Sequence, residues 1–297
     1  MNTNNLLLNQ DPFLQRQRVF LVTLDKLEEF SYRINEGASD MARLTGITYI
    51  WDAPVERVVE QQISVINNAV ANGADLIMIQ ALDPIRVSGA VEAAKARGVR
   101  IIYVDSPAVE SAIVTLATDN YNAGQTAGQL MINELELAGI ITGDIGIVEG
   151  IPEMVTRLNR QIGFRDVIKR DGRYQLLDTR YAQGNPVALQ NEIEAVINEN
   201  PSLVGLFTTY EVSTTALGYA LMGITKPIIG IGFDLTDIIR DMLNNEVLRA
   251  TLVQNPYTMG YLGMAQAIAA LTGKDTGPNF INTGVSIVTR YMRRIVI

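Results

Sequence analysis

Polar side chains that could bind a small hydroxylated molecule recur along the chain, each shortly after a short apolar, β-branched run. They are Asp25, Lys26, Asp52, Gln80, Asp105, Glu149, Gln183, Asn185, Tyr210, Glu211, Asp234 and Gln254. Carboxylates and amides accept from and donate to vicinal hydroxyls, and nearby aromatic rings, those of Phe30, Tyr32, Trp51 and Tyr181, are suited to stacking on a sugar ring. These residue types favour recognition of a monosaccharide.

The composition excludes several kinds of catalytic site. With no Cys and no His, the chain has no thiolate nucleophile, no imidazole base, no Ser-His-Asp triad and no His or Cys metal site. The G-x-G at 230–232 lacks the third glycine of a dinucleotide fingerprint, and Ser88 lacks the glycines of a nucleophile elbow. We therefore predict a binding protein with no cofactor and no metal, while an enzyme that uses a pair of carboxylates stays open.

Charge and hydropathy restrict the partners and the compartment. A formal charge of −8 and a pI near 4.8 argue against nucleic acid as a partner. Apolar runs stay below the ~18 residues of a membrane span, and residues 1–17 lack the pattern of a signal peptide. We expect a periplasmic or extracellular membrane-anchored protein whose signal or lipid anchor is absent from this sequence.

Several candidate residues also have a simpler structural interpretation. Asp105 and Asp234 would serve as turn or helix N-cap residues, and sequence alone leaves both interpretations open. Arg157 and Arg160 fall in one predicted helix, where surface ion pairs are the common fate of an arginine. Phe30 fits a core position as well as a ligand platform.

The elements that must position these residues alternate between short β-branched runs and longer segments with helical periodicity, which predicts repeated βα units. The predicted strands are 19–23, 48–51, 75–79 and 100–104, then 143–148, 174–179, 204–207, 228–232 and 250–253, and finally 279–282 and 286–291. Gly46, Gly73 and Gly98 are predicted to end helices in the left-handed conformation. In parallel α/β sheets ligands bind at the carboxyl ends of the strands, where the polar residues fall.

A chain of 297 residues exceeds the size at which single cores grow efficiently. We predict an α/β fold with two Rossmann-like lobes, each with a parallel sheet, joined by a hinge that the chain crosses more than once. The N-terminal lobe is predicted to contain residues 18–118 and 255–285, and the C-terminal lobe residues 119–254 and 286–297.

Six segments carry a family resemblance, and they are 74–79 (ADLIMI), 103–106 (YVDS), 117–120 (ATDN), the Gly163-Phe164 pair, 231–234 (IGFD) and 250–254 (ATLVQ). In this order they resemble the periplasmic sugar-binding proteins of the ribose and xylose type. That family shares the type I periplasmic-binding-protein fold with the effector-binding cores of lac-repressor-type regulators. The resemblance covers nearly the whole chain from Arg18 onward.

The resemblance implies a set of ligand-binding residues. Asp105 and Asp234 resemble the family's hydroxyl-binding aspartates, Gln254 its crossover glutamine and Arg157 its ligand arginine, with Arg160 as the alternative. The full set of predicted ligand-binding residues is Lys26, Phe30, Asp105, Arg157, Asn185, Tyr210, Asp234 and Gln254. The first loop, 24–30 (LDKLEEF), is closer to the xylose branch, whereas Ser106 and Tyr210-Glu211 depart from the ribose pattern.

The resemblance also implies how the protein works. A monosaccharide, with a pentose such as xylose favoured, is expected in a cleft between the lobes, from which an ABC transporter permease or a membrane sensor histidine kinase would receive it. The alternatives are the effector-binding core of a lac-repressor-type regulator and a receptor for a furanosyl quorum signal. Residues 1–17 are too short for a helix-turn-helix, which disfavours the regulator.

Overall fold

The computed structural model describes residues 11–150, 155–182 and 185–290. The chain divides into two compact units. The first contains the described residues up to Thr118 together with Asn255–Thr283, and the second contains Asp119–Gln254 together with the described residues from Gly284 onward. The fold class is α/β, as predicted.

The first unit is built on a six-stranded sheet in which all neighbouring strands are parallel. Its strands are β1 (Arg18–Val22), β2 (Thr48–Asp52), β3 (Leu76–Ile79), β4 (Arg100–Val104), β5 (Thr115–Ala117) and β12 (Phe280–Asn282), in the order β12-β5-β4-β3-β1-β2. Its helices are α1 (Pro12–Arg16), α2 (Glu29–Thr45), α3 (Val59–Ala71), α4 (Ser88–Ala96) and α10 (Pro256–Leu271).

The second unit repeats this strand order around a seven-stranded sheet, with one antiparallel edge strand. Its strands are β6 (Gly143–Glu149), β7 (Tyr174–Leu176), β8 (Arg180–Tyr181), β9 (Leu203–Phe207), β10 (Ile229–Phe233), β11 (Ala250–Gln254) and β13 (Val285–Thr289), in the order β13-β11-β10-β9-β6-β7, and β8 pairs with β6. Its helices are α5 (Asn120–Leu137), α6 (Val155–Asp171), α7 (Pro186–Glu199), α8 (Glu211–Met222) and α9 (Asp237–Asn244).

Both faces of each sheet are covered, so successive strand residues enter opposite apolar layers. In β1, Leu21 packs on the side of α2 and α10, whereas Phe20 packs on the side of α3 and α4. In β9, Phe207 packs toward α5 and α6, and Leu206 toward α7, α8 and α9. Each unit therefore has its own core on both sides of its sheet.

Most predicted strands match observed ones within one or two residues at each end, with two differences, whereas the predicted glycine conformations are confirmed. The three-residue strand β5 was missed, because so short a run shows no periodicity and its ladder depends on β4 and β12. The predicted strand 174–179 ends at Leu176, and the chain pairs with β6 again only at β8. Gly46, Gly73 and Gly98 have φ values of 75°, 74° and 86°, which confirms their left-handed conformation.

Two boundaries of the predicted lobes differ from the observed units. Residues 284 and 285 belong to the second unit and not the first, because Val285 pairs with Gln254 in the β11–β13 ladder. The first unit also begins before residue 18, since Leu14 of α1 is buried in its core. None of the helices in the described ranges is long and apolar enough to span a bilayer.

Candidate functional site

Asp105 stands at the carboxyl edge of the first sheet, directly after β4. Its backbone has a φ of 64°, a left-handed conformation that few non-glycine residues adopt. The backbone N–H donates to the carbonyl of Leu116 at 2.8 Å, and Gln80 Nε2 donates to the carboxylate at 3.1 Å. No helix follows, since the segment after Asp105 leads to β5, so Asp105 is not an N-cap residue.

A buried amide network holds Gln80 in place. The main-chain carbonyl of Gln80 accepts from Gln62 Nε2 at 2.9 Å. Gln62 Nε2 also donates to the main-chain carbonyl of Thr23 at 3.1 Å. The other end of the Gln62 side chain accepts from the N–H of Leu82 at 2.8 Å. Both glutamines are buried, so the support beneath Asp105 is neutral and fully bonded.

The loop after β1 is organised by Asp25. Its carboxylate accepts from the N–H groups of Leu27 and Glu28 at 2.7 and 2.6 Å and pairs with Arg57 at 2.6 Å. Burial would raise the pKa of Asp25, but these hydrogen bonds and the guanidinium outweigh it and hold the pKa below its usual value. Asp25 therefore fixes the loop that carries Lys26.

Lys26 and Phe30 occupy different environments in the first unit. Lys26 is exposed, with its ammonium group 2.9 Å from Asp52 and 5.7 Å from the centre of the Trp51 ring. Phe30 is half-buried and packs against the core on the side of α2. The side chain of Lys26 is thus exposed to solvent, whereas much of the Phe30 ring packs against the core.

Asp234 is the counterpart of Asp105 in the second sheet and follows β10. Its φ is 68°, and its N–H donates to the carbonyl of Leu252 at 2.7 Å. The carboxylate accepts from Gln254 Nε2 at 3.0 Å and from the N–H of Glu211 at 3.2 Å. The interpretation of Asp234 as the cap of the following helix is wrong, because Thr236 caps α9.

Arg157 and Arg160 of α6 have different roles. The guanidinium of Arg157 lies 3.5 Å from the centre of the Tyr210 ring, and both residues are half-buried. Arg160 is buried, stacks on Phe233 at 3.7 Å and donates to Asn120 Oδ1 and the carbonyl of Thr209, both at 2.7 Å. Arg160 is engaged within the unit, which leaves Arg157 as the better candidate for a ligand.

Glu149, at the end of β6, is a fully buried carboxylate at the carboxyl edge of the second sheet. Its Oε1 accepts from both the hydroxyl and the N–H of Thr209, the latter at 3.0 Å. Burial raises the pKa of Glu149, and the Thr209 hydrogen bonds together with the charges of Arg157 and Arg160 only partly offset this. Burial likewise raises the pKa of Tyr210.

The remaining predicted residues divide between a cap and an undescribed segment. Asn185 is the N-cap of α7, and its Oδ1 accepts from the N–H of Ala188 at 2.9 Å. Gln183 lies outside the described residues.

A surface hollow of about 590 Å³ is lined by Gly143, Tyr174 and Lys226 near the amino ends of the second sheet, away from the polar strand ends.

Each unit therefore gathers its predicted residues at the carboxyl edge of its own sheet. Lys26, Phe30 and Asp105 lie in the first unit, and Arg157, Asn185, Tyr210, Asp234 and Gln254 lie in the second. Each edge offers an oriented carboxylate with amide and cationic donors nearby. Such a set can hydrogen-bond several hydroxyl groups of an uncharged ligand.

Sequence reasoning missed two residues that support these edges. Gln62 is a polar position in the apolar stripe of α3, between Val59 and Ile66, and this break in amphipathic periodicity was a usable signal. Thr209 directly precedes Tyr210, and a hydroxyl after a buried strand is a weaker signal of the same kind. Neither residue reveals its partners without the fold.

Comparisons with known proteins agree with this architecture. The ribose import binding protein of Bacillus subtilis is 25% identical over 215 residues, covering 72% of this chain and 68% of that protein. The D-allose-binding periplasmic protein of Escherichia coli K12 is 21% identical over 273 residues, covering 86% and 87% of the two chains.

Solved structures show the same fold. The sugar-binding protein of a sugar ABC transporter from Bacillus halodurans has a TM-score of 0.86 at 23% identity, covering 93% of this chain and 98% of that one. A carbohydrate transporter solute-binding protein from Agrobacterium radiobacter, solved with D-arabinose, has a TM-score of 0.81 at 26% identity, covering 93% and 95%. The predicted type I periplasmic-binding-protein fold is confirmed.

The family model for a periplasmic binding protein domain matches residues 19–275, nearly the whole of both units. The predicted resemblance and the expectation of a binder without catalysis are thereby confirmed. This chain belongs to the periplasmic binding protein domain family, whose members are solute-binding carriers and not enzymes.

Proposed function

We propose that the chain is an extracytoplasmic solute-binding protein that captures one monosaccharide in the cleft that the sequence predicts between its lobes. The observation that carries the proposal is the pair of aspartates, Asp105 and Asp234. The two aspartates follow β4 and β10, which occupy equivalent places in the two sheets. Each aspartate has a positive φ and accepts from a glutamine amide. Backbone strain kept at matching positions in both units is typical of functional residues.

The comparisons support a sugar as the ligand. The named ligands of the relatives are ribose and D-allose, and one structural neighbour was solved with D-arabinose. We propose an uncharged pentose for this chain, with xylose favoured because of the first loop, 24–30. Ser106 and Tyr210 stand where the ribose pattern has other residues, which supports a pentose other than ribose.

The proposed roles follow from the chemistry of each side chain. Asp105 and Asp234 accept from sugar hydroxyls, and the cationic and amide groups of Lys26, Arg157, Asn185 and Gln254 donate to ring and hydroxyl oxygens. The rings of Phe30 and Tyr210 provide apolar surfaces for the carbon faces of the sugar. Asn185 Oδ1 serves the α7 cap, so only its amide NH₂ group is assigned to the ligand.

Calorimetric titration of the purified chain with xylose, ribose, arabinose, allose and glucose tests this function. We expect one sugar per chain, and binding that raises the melting temperature, because a ligand that binds only the native state stabilises it. Asp105→Asn and Asp234→Asn are both expected to weaken the same single site, although they lie in different units. Absence of binding across the panel contradicts a sugar ligand, and a loss confined to one variant contradicts a shared site.

We propose that the receiver of the bound sugar is an ABC transporter permease, because one similar protein is named for ribose import and another for a sugar ABC transporter. The measurement is ATPase activity of the transporter reconstituted in vesicles. Sugar-loaded protein is expected to stimulate the ATPase, and sugar-free protein is expected to stimulate it less. Stimulation of a membrane sensor kinase and not of the transporter would favour the signalling alternative.

A further inference from the structure

Glu149 is a buried titratable group to which the proposed function assigns no role. Its side chain is fully buried, and its Oε2 atom has no hydrogen-bond partner among the described residues. A buried carboxylate oxygen without a partner carries a large desolvation cost. A residue kept at such a cost needs a reason beyond stability.

The bonded oxygen of Glu149 fixes the turn that presents Tyr210. Oε1 binds both the N–H and the hydroxyl of Thr209, and Arg160 donates to the carbonyl of the same residue. The backbone N–H and the carbonyl of Thr209 are therefore both hydrogen-bonded to buried side chains. Tyr210 follows directly in sequence, so its backbone position depends on this clamp.

The carboxyl group of Glu149 also interacts with its neighbours through charge. The charged or titratable groups of the described residues that act on Glu149 are Arg157 and Arg160 of α6, and Tyr210 on the turn before α8. Arg160 is held by direct hydrogen bonds, whereas Arg157 rests on the face of the Tyr210 ring. When Glu149 is ionised, its negative charge attracts the Arg157 guanidinium, and the exclusion of water from the Glu149 carboxylate reduces the screening of this attraction.

We propose that Glu149 is a positioning residue that holds the Arg157–Tyr210 stack in its ligand-binding arrangement, and that its ionisation therefore controls sugar affinity. The proposal rests on the proposed function, because Arg157 and Tyr210 are assigned there to the sugar. Glu149 itself does not contact the ligand.

The pH dependence has opposite signs for stability and for affinity. Burial raises the pKa of Glu149, so the native state binds its proton more tightly than the unfolded chain does. Glu149 thus contributes stability at low pH that is lost as the pH rises through the native pKa. Sugar affinity changes the other way, because the charge that holds Arg157 appears only when Glu149 ionises.

The principal test compares wild type with Glu149→Gln, which keeps an oxygen for Thr209 and removes the charge. At the alkaline end of the affinity profile, where Glu149 is ionised, we expect the variant to bind the sugar about fivefold more weakly than wild type, equivalent to ~1 kcal/mol. As the pH falls, the affinity of the wild type should approach that of the variant, while its stability rises relative to the variant. Glu92→Gln, which removes the same charge from an exposed position on α4, is the control and should change neither property.

A second variant keeps Glu149 and changes its pKa, which covers the case in which Glu149→Gln does not fold. Thr209→Val removes the hydroxyl group whose hydrogen bond lowers the pKa of Glu149. We expect the acid midpoint of the affinity profile to move to higher pH. An unchanged midpoint, or equal affinities of wild type and Glu149→Gln at every pH, would overturn the proposal.

A ligand-free measurement separates this inference from the proposed function. In a double-mutant cycle of Glu149→Gln and Arg157→Gln, measured at the highest pH at which wild type stays folded, we expect the unfolding equilibrium constants to deviate from additivity by at least about threefold. If wild type binds no sugar in the panel, the proposed function fails, and the cycle still decides the coupling. Additive effects in the cycle overturn the positioning role of Glu149 whatever the ligand is.

Discussion

The two units share one scaffold and support each aspartate with a glutamine amide, but the buried polar residues beneath the two carboxyl edges differ in chemistry. In both, an aspartate with positive φ follows the equivalent strand, β4 or β10, and donates its N–H to the neighbouring strand. Beneath the first edge lies a neutral network of Gln62 and Gln80, whereas beneath the second lie Glu149 and Arg160, which are charged types.

One helix–helix contact that both units share also differs in the residue involved. In the first unit, Gly260 of α10 packs against the backbone of Ile34 on α2, and in the second, Gly124 of α5 packs in the same way against Arg160 on α6. Ile34 is a core residue, whereas Arg160 reaches the turn at Thr209. The same helix contact thus involves an apolar core residue in the first unit and, in the second, an arginine that reaches the turn before α8.

The largest expected effect tests whether the two helix contacts are equivalent. A Cβ atom on Gly124 would lie 2.0 Å from the carbonyl oxygen of Arg160, and one on Gly260 would lie 1.8 Å from that of Ile34. We expect Gly124→Ala and Gly260→Ala each to lower the free energy of unfolding by about 3 kcal/mol, because backbone cannot yield as a side-chain end can.

Denaturant unfolding measures this loss, and Gly89→Ala in α4 is the matched control, since nothing lies within 4 Å of its Cβ position. Alanine favours a helix over glycine, so the control is expected to be neutral or stabilising by up to about 1 kcal/mol. If Gly124→Ala and Gly260→Ala change the free energy of unfolding no more than the control does, the close helix contact within each unit does not stabilise that unit.

The next effect compares the two aspartates as ligand residues. Asp105→Asn and Asp234→Asn keep the size of the side chain and lose the charge-assisted hydrogen bond to a sugar hydroxyl. Each is expected to weaken binding at least about tenfold, or ~1.4 kcal/mol, with a melting temperature close to wild type. Calorimetry with the best sugar of the panel gives the affinity, and an unchanged affinity in both variants would remove the aspartates from the site.

A smaller effect is expected from the glutamines that orient the aspartates. Gln80→Leu and Gln254→Leu each remove an amide donor to a carboxylate, at 3.1 and 3.0 Å in wild type. We expect losses of about 1 kcal/mol in binding for each. Gln80 Oε1 also accepts from the N–H of Leu24 at 3.4 Å and from the hydroxyl of Ser31 at 3.3 Å. Gln80→Leu should therefore lose more stability than Gln254→Leu, and the reverse order would contradict this role of the Gln80 side chain.

The smallest expected effect concerns the position of the Tyr210 ring at the carboxyl edge of the second sheet. A Cβ atom on Gly150 would lie 2.5 Å from the Tyr210 hydroxyl oxygen, so Gly150→Ala must displace the ring without altering its chemistry. We expect sugar affinity to fall about threefold, or ~0.7 kcal/mol. Tyr210→Phe, which keeps the ring and removes the hydroxyl, is the control that separates ring position from hydrogen bonding.

Much of the fold was predictable because its signals are local. The buried strand Leu76–Ile79 is apolar throughout, and Gly46, Gly73 and Gly98 mark helix ends through a backbone conformation that glycine adopts without cost. β5 was not predictable, because three residues carry too little pattern and their pairing comes from strands distant in sequence. Short elements held by tertiary contacts have no signature of their own.

The candidate site was predictable in its residue types and only partly in its residue roles. The polar residues after the strands were visible in the sequence, and the resemblance ranked Asp105 and Asp234 among them. Sequence could not separate Arg157 from Arg160, because both lie on one helix and the choice depends on what each guanidinium meets. The roles of Asn185 as a cap and of Asp25 as a loop organiser required the hydrogen bonds themselves.

By itself the sequence determined the alternation of strands and helices, the repeated lobes and the absence of Cys and His chemistry, since periodicity and composition are properties of the chain alone. The tertiary structure decided which polar groups are bonded, buried or exposed. It placed Thr236 and not Asp234 at the α9 cap, buried Glu149 beneath Tyr210 and stacked Arg157 on that ring. These outcomes depend on side chains far apart in sequence, whose contacts exist only once the sheets have formed.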